Sequence, residues 1–427
     1  MTPRTLFVNA RQVVTCAGPG RARRGAEMGD AAVREGVVVA VDGDTIAHVA
    51  PEQSLGPAWR DAARVDCDGA LLTPGLVDSH THAIFGRPRY EEQELRAAGV
   101  DYLEIARRGG GIHASVRDLR ERDEEALYQL ALPRLARLAA SGITTVEVKS
   151  GYGLTVEDEL KTLRVIARLA RELPLRLVPT WLGAHEVPLE YRARPDGRRE
   201  YLRLLIDEML PRVAHERLAR FADVFCERGV YTVEESRELL SAARAAGLAL
   251  KLHADELNPS GGAELAAELG ATSADHLGAI SDAGIAALAH APTVATLLPG
   301  TMLFLGKGSQ APARRLIDAG VPVALATDFN PGTSPTTNFA LILTLAVSQL
   351  RLQVSEAMVA ATVNGAAALG LADRVGQLAP GFSADLALWD AGDLRELPYW
   401  YGERRCMRSW VRGKTCHNQY LRVTFAL

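Results

Sequence analysis

Residues 71–82 read LLTPGLVDSHTH, an apolar run that closes on two histidines one residue apart, His80 and His82. The run predicts a buried strand, and along a strand side chains two positions apart share a face while the residue between them points the other way. Both imidazoles can therefore meet one metal ion, and Thr81 cannot. An HxH pair alone is weak evidence and fits two hydrogen-bonded core histidines better than a metal site. The rest of the chain changes the balance, because two more potential ligands also close apolar runs: His253 in LALKLHADE and Asp328 in VPVALATDFN.

Outward from that strand, residues 72–377 alternate short apolar runs with longer amphipathic segments, the rhythm of repeated βα units. Eight runs recur: LLTPGLVDSH, ITTVEVKS, LRLVPTWLGAH, FADVFCER, LALKLHAD, TSADHL, TVATLLPG and VPVALATD. Segments such as EEALYQLALPRLARLAASG, VEDELKTLRVIARLARE and EESRELLSAARAAG read as the helices between them. Eight such units predict an α/β fold, a (β/α)8 TIM barrel. An open doubly wound sheet is the competing arrangement, but no GxGxxG follows the first strand. The glycine run at 109–111 is expected to be a mobile turn over the site.

Residues 1–71 and 378–427 read differently: alternating, β-rich and punctuated by turns, as in VREGVVVAVDGDTIAHVA and FSADLALWD. Each piece is short for independent stability. The two are expected to form a small β-sandwich domain built from both chain termini. Arg21, Arg23 and Arg24, in a Gly/Pro-rich stretch, are expected to be a solvated loop. The 17–30 loop and the tail RVTFAL are expected to lie outside the site.

The 427 residues are 48% hydrophobic and 23% charged with a net charge of -4, a balance that suits an enzyme and gives no electrostatic reason to expect nucleic acid or an anionic membrane as partner. Five cysteines without CxxC spacing indicate neither a zinc knuckle nor a disulfide framework, and hence a reducing compartment. No secretion signal opens the chain, and NFALILTLAVSQL is too short to span a bilayer. The expectation is a cytoplasmic protein with a small-molecule substrate and, by default, a homodimeric assembly.

In a barrel of this kind the chemistry sits at the C-terminal ends of the strands. The first run ends with His80 and His82, the second leads into Ser150 and Tyr152, and the third ends in His185. The fifth carries His253 and Glu256, the sixth ends in His276, and the eighth ends in Asp328, followed by Asn330, Gly332 and Thr333. Five of the ten histidines lie at these ends, which scatter along the chain would seldom produce. His80, His82, His253 and Asp328 make three imidazoles and a carboxylate, a set suited to one Zn2+ or Fe2+ with a position left for water. A cation held this way lowers the pKa of its water to about 7, so hydrolysis is the natural chemistry. His276 is placed to orient the hydroxide or stabilise an oxyanion, and Glu256 to handle protons at a leaving nitrogen or hold a ring N–H. A binuclear centre would need a bridging lysine or carboxylate at the end of the fourth run, where FADVFCERG offers only Glu227; one metal is expected.

DSHTH, HADE, ADHL and ATDFNPGTSP, in that order, resemble the amidohydrolase superfamily in its mononuclear branch. Within it the resemblance is to the members that convert 4-imidazolone-5-propanoate and water to N-formimino-L-glutamate in histidine degradation. It runs through FGRPRYEEQEL, DYLEIARRGGGI, TTVEVKSGYGL, WLGAHEVPLEY, KLHADELNPSGGAELA and TDFNPGTSPTTN. It implies His80, His82, His253 and Asp328 as metal ligands, and Arg89, Tyr152, His185, Glu256, Asn330, Gly332, Thr333 and Tyr102 as substrate contacts. A propanoate tail needs a cation and hydroxyl donors, which Arg89 with Tyr102 and Tyr152 could supply as a clamp. FGRPRY also adds Arg87, so either arginine could grip the carboxylate. The proton route is open among Asp328, His276 and Glu256. Two other readings share the ligands: a deaminase of a nucleobase-like ring, and a catalytically silent binding protein on the same scaffold.

Overall fold

The computed structural model describes residues 4–100, 104–105 and 109–418. Eight parallel strands neighbour one another in chain order: Leu76–Asp78, Ile143–Lys149, Arg176–Ala184, Phe221–Cys226, Ala249–Ala254, Ser273–His276, Val294–Leu297 and Val323–Leu325. These first to eighth barrel strands correspond to the eight apolar runs. Helices on the outside bury one stripe against them; in Val156–Glu172 the buried Leu160, Leu163, Ile166 and Leu169 recur every three residues. That helix starts where Thr155 accepts a hydrogen bond from the Asp158 N–H, and Val233–Ala245 starts on a capping box of Thr232 and Glu235.

The ring closes between the eighth and first strands by side chains and loop backbone. Asp78 accepts from the Thr327 N–H at 2.9 Å and the Thr327 hydroxyl at 2.7 Å. The Asp328 N–H donates to the His80 carbonyl at 3.1 Å, and the His82 N–H to the Phe329 carbonyl at 2.8 Å. Thr81 and Phe329 form a parallel bridge. The residues that close the barrel are thus the ones that carry His80, His82 and Asp328.

LLTPGLVDSH is two strands rather than one. Leu71–Pro74 pairs with Leu386–Trp389 and Gln12–Val14, and only Leu76–Asp78 enters the barrel. The first piece lies in a six-stranded sheet ordered Lys414–Asn418, Cys406–Val411, Leu386–Trp389, Leu71–Pro74, Gln12–Val14, Val33–Arg34, so both chain ends contribute strands. A four-stranded sheet of Thr45–Ala50, Val38–Asp42, Arg4–Val8 and Ala63–Asp66 shares a core with it through Phe7, Val39, Ile46, Leu72, Leu386 and Trp410. Phe7 meets Trp410 edge-on, with ring centroids 4.8 Å apart.

The arginine cluster at 21–24 is not a solvated loop. Arg23 is 4% exposed and donates to the Cys16 carbonyl at 3.0 Å. Arg24 reaches the carbonyls of Ala289, Gly320 and Ala291, at the ends of helices Asp282–Ala289 and Ala313–Asp318. Helix C-terminal carbonyls lack intrahelical partners and carry partial negative charge, so a guanidinium is drawn to them. Only Arg21 conforms to the expectation, exposed and paired with Glu27. Among the described residues no helix is long and apolar enough to cross a membrane, and no cysteine is in a disulfide. Tyr102 and the tail 422–427 lie outside the described residues.

Candidate metal centre

The donor atoms of His80, His82, His253 and Asp328 converge. His80 Nε2 is 3.3 Å from His82 Nε2, which is 3.4 Å from His253 Nε2. Asp328 Oδ1 lies 3.5 Å and 3.7 Å from the Nε2 atoms of His80 and His82. Burial holds His80 and His82 well below the usual imidazole range, so these rings are neutral and their lone pairs are available. Neutral nitrogens crowded together this way gain little from each other. Donors bound about 2.0–2.2 Å from one tetrahedral centre lie about 3.3–3.6 Å apart, so the observed spacing fits a single cation.

Below the four donors the barrel interior is charged. His80 Nδ1 is 2.7 Å from Asp275 Oδ2, and His253 Nδ1 is 3.0 Å from Asp223 Oδ2. Lys149 Nζ lies 2.7 Å from Asp223, 3.0 Å from Glu147 and 3.5 Å from Asp275. Lys251 Nζ lies 3.1 Å from Glu147 and donates to the Ser79 carbonyl at 3.0 Å. All five charged side chains are inaccessible to solvent. Burial alone would depress the Lys149 ammonium, but the carboxylates of Asp223, Glu147 and Asp275 outweigh it and hold it well above the usual lysine range. This layer is absent from the sequence reading, yet strand alternation signals it: Glu147 and Lys149, and Lys251 and His253, are two residues apart and share inward faces.

Asp328 and His276 both sit at strand ends with left-handed backbone, φ 51° and 80°. Non-glycine residues seldom adopt this region, and it aims both side chains off the line of their strands. Thr301 donates its hydroxyl to Asp328 Oδ2 at 2.6 Å, leaving Oδ1 for the centre. Burial pushes the Asp328 carboxyl up to about 6, against the Thr301 hydrogen bond and the nearby His253. His276 groups with His80 and Asp328, and its Nδ1 is 3.7 Å from Glu256 Oε2. Glu256 is buried, and burial first, then the Asp328 and Glu227 carboxylates, push its carboxyl up to about 8. Glu227 serves a different end: it accepts from the N–H groups of Leu257 and Asn258 and from the Ser260 hydroxyl, bracing the loop after the fifth strand.

Around this centre lie the expected substrate residues. His185 stacks on His82 with centroids 5.0 Å apart and rings 17° from parallel, and Tyr152 lies 5.4 Å from His185. Burial first, with the neighbouring His253 next, pushes His185 down to about 3. Gly151, at φ 108°, lets the loop pass close to His185; a Cβ there would lie 2.9 Å from its Nδ1. Glu159 gathers the same loop by accepting from Gly151, Gly153 and Leu154.

Arg89 is partly buried, its side chain 9% exposed, whereas Arg87 is exposed and pairs with Glu91, so of the two arginines Arg89 is the one turned inward. Its guanidinium is bracketed by Ser115 at 3.4 Å and Glu92 at 3.5 Å. It rests on Gly332, where a Cβ would lie 1.3 Å from Nη2. Asn330 and Thr333 hold one another: Asn330 Oδ1 accepts from the Gly332 and Thr333 N–H groups, and Asn330 Nδ2 donates to the Thr333 hydroxyl. Their side chains shape the loop that carries Gly332. The glycine turn at 109–111 is tied down at its far end, where the Gly111 N–H donates to Glu92 at 2.7 Å. Arg134, unmarked in the sequence reading, is buried and donates to the Gly86 carbonyl at 2.6 Å, fixing the loop that leads to Arg89.

The Amidohydrolase family profile matches residues 71–416. An imidazolonepropionase of Geobacillus kaustophilus (strain HTA426) is 48% identical over 421 residues, covering 97% of this chain and 98% of that one. An imidazolonepropionase of Bacillus velezensis is 45% identical over 411 residues, covering 96% of each. Among solved structures, a 5-methylcytosine deaminase from Klebsiella pneumoniae, liganded with phosphonocytosine, superposes with a TM-score of 0.71 at 19% identity over 98% of this chain and 100% of that one. An adenosine deaminase from Xanthomonas campestris with bound zinc gives 0.69 at 20% identity, over 97% and 93%. At such identities these two structures speak to the fold alone.

Proposed function

The chain belongs to the amidohydrolase family, and from that premise we infer that it opens the cyclic amide of 4-imidazolone-5-propanoate with water to give N-formimino-L-glutamate. It is a hydrolase acting on a C–N bond. The observation that carries the reading is the convergence of three imidazole nitrogens and the Asp328 carboxylate, with the partly buried Arg89 resting on Gly332 of the loop that follows Asp328.

His80, His82, His253 and Asp328 would hold one divalent cation, Zn2+ or Fe2+, in keeping with a nitrogen-rich set containing one oxygen. When bound, such a cation lowers the pKa of water at the site to about 7 and supplies hydroxide at neutral pH. Arg89 offers a charge-assisted contact to the propanoate, and the Tyr152 and His185 rings form a wall against which a flat heterocycle can lie. In the reaction a C–O bond forms at the ring carbonyl carbon, the ring C–N bond breaks, and one proton passes from water to the departing nitrogen. Asp328, at the centre with Oδ2 on the Thr301 hydroxyl, is placed to take that proton, and His276 stands beside it to hold the developing oxyanion. Glu256, raised to about 8, is protonated at neutral pH and is suited to deliver a proton to nitrogen.

Purified protein incubated with 4-imidazolone-5-propanoate should release N-formimino-L-glutamate, seen by mass spectrometry, and should leave cytosine unchanged. Release of uracil from cytosine without turnover of the imidazolone would instead favour a deaminase.

A further inference from the structure

Five buried charges fill the inner layer of the barrel where branched aliphatic side chains are the norm. Burying charge is expensive and adds little net stability over a well-packed apolar core, so this layer calls for a role beyond holding the fold. Its contacts form one chain. His80 Nδ1 meets Asp275 Oδ2 at 2.7 Å, Asp275 Oδ2 meets Lys149 Nζ at 3.5 Å, Lys149 Nζ meets Asp223 Oδ2 at 2.7 Å, and Asp223 Oδ2 meets His253 Nδ1 at 3.0 Å. The remaining carboxylate oxygens are also committed. Asp275 Oδ1 accepts from the Ser273 hydroxyl at 2.6 Å, and Asp223 Oδ1 accepts from the N–H groups of Val224 and His253. Both carboxylates are therefore fixed in rotation, and each presents one oxygen to a ligand histidine.

We propose that Lys149 is a positioning residue for the metal centre: a single buried ammonium that ties Asp223 and Asp275 together and, through them, sets the ring orientation of His253 and His80. At His80 the Asp275 carboxylate keeps the proton on Nδ1 and turns Nε2 toward the cation, while at His253 the Asp223 carboxylate lies 3.0 Å from Nδ1 and accepts from the backbone N–H; outer partners of this kind commonly carry about 10–100-fold in metal affinity. Lys149 goes further, because it couples two ligands that arrive from the first and fifth strands on one group at the end of the second. Lys251, on Glu147 and the Ser79 carbonyl, holds the segment just before His80 from the other side.

The inference rests on His80, His82, His253 and Asp328 as the cation ligands, and it makes a prediction opposite to simple charge counting. Lys149→Met removes a positive charge near the centre, which by Coulomb attraction alone would tighten cation binding. Loss of positioning weakens it instead. The experiment is competition of Zn2+ against a chromophoric chelator, together with the visible absorption of Co2+-loaded protein, for wild type, Lys149→Met and Asp275→Asn. Asp275→Asn keeps the shape and an acceptor for His80 but removes a negative charge, so its weaker binding agrees with charge counting as well; if Lys149→Met does not fold, Lys149→Gln, which removes the same positive charge, decides the matter in its place.

The expected result is one cation per wild-type chain, affinity about 10–100-fold weaker in the variants, and a Co2+ spectrum altered in shape as well as intensity. Wild-type protein that binds one cation, with variants that bind equally or more tightly and show the wild-type spectrum, would overturn the proposal. Wild-type protein that binds none would overturn the ligand assignment on which it rests.

Discussion

Asp328 shows how a backbone conformation aims a ligand. At φ 51° it leaves the strand line, its Oδ2 is taken by Thr301, and the Asn330 amide donates to its carbonyl at 2.7 Å, so the strained turn is held from both sides. Glu256 is the residue whose chemistry is most easily separated from metal binding. Glu256→Gln should retain the cation by elemental analysis while kcat falls about 10²–10⁴-fold, whereas His253→Ala should lose cation and turnover together. A Glu256→Gln variant with normal kcat would remove Glu256 from the proton path. Its titration carries a stability signature as well. A carboxyl near 4.3 in the unfolded chain and about 8 in the folded one binds its proton more tightly when folded, so its contribution is present at low pH and is lost as pH rises through that window. In chelated protein the Tm of wild type should therefore fall relative to Glu256→Gln between pH 5 and about 8, and run parallel to it above. The residues proposed to ligate the cation and to handle protons are legible in the sequence because each is a reactive side chain at or just past the end of an apolar run. The partners Asp223 and Asp275 are not; for Lys149 and Lys251 strand alternation gives the shared faces with Glu147 and His253, but which face turns inward is settled only once the neighbouring strands are in place.

At the level of elements, the loops after the first and eighth strands behave as one unit. The Arg89 N–H donates to the Pro331 carbonyl at 3.2 Å, Arg96 donates to the Gly332 carbonyl at 3.2 Å, and the guanidinium of Arg89 lies on the bare face of Gly332. Gly332→Ala would force a Cβ into that guanidinium. KM for the imidazolone should rise roughly tenfold or more with kcat changed far less, since the displaced group is the one proposed to bind the tail and not the reacting carbon. An unchanged KM would mean that Arg89 does not bind the propanoate. All eight barrel strands were foreseen from apolar runs punctuated by helices, since parallel strands are buried on both faces and read as continuous hydrophobic segments. The split of LLTPGLVDSH was not foreseen: both halves are buried and apolar, and only the partner strands Leu386–Trp389 and Ile143–Lys149 distinguish the terminal sheet from the barrel. The arginines at 23 and 24 were misread for a related reason, because a helix C-terminus that recruits a distant guanidinium leaves no mark on the residues nearby in sequence.

For the whole molecule, barrel closure and three of the four proposed ligands lie in the same two segments, His253 alone arriving from the fifth strand. Asp78–Thr327, His80–Asp328 and Thr81–Phe329 join the last strand to the first where the ligands converge. A cation held there would bridge the first, fifth and eighth strands, so its removal should lower Tm as well as activity, by mass action on the folded state. The pairing of both chain ends through Leu71–Pro74 and Leu386–Trp389 places the terminal sheet directly upstream of the first barrel strand. The most direct test of the whole account is to strip the protein with chelator, return Zn2+ or Fe2+ in measured steps, and follow formation of N-formimino-L-glutamate from 4-imidazolone-5-propanoate. The account predicts no product from the stripped protein and a rise that saturates at one cation per chain; full activity in the stripped protein, or none at saturation, would contradict it.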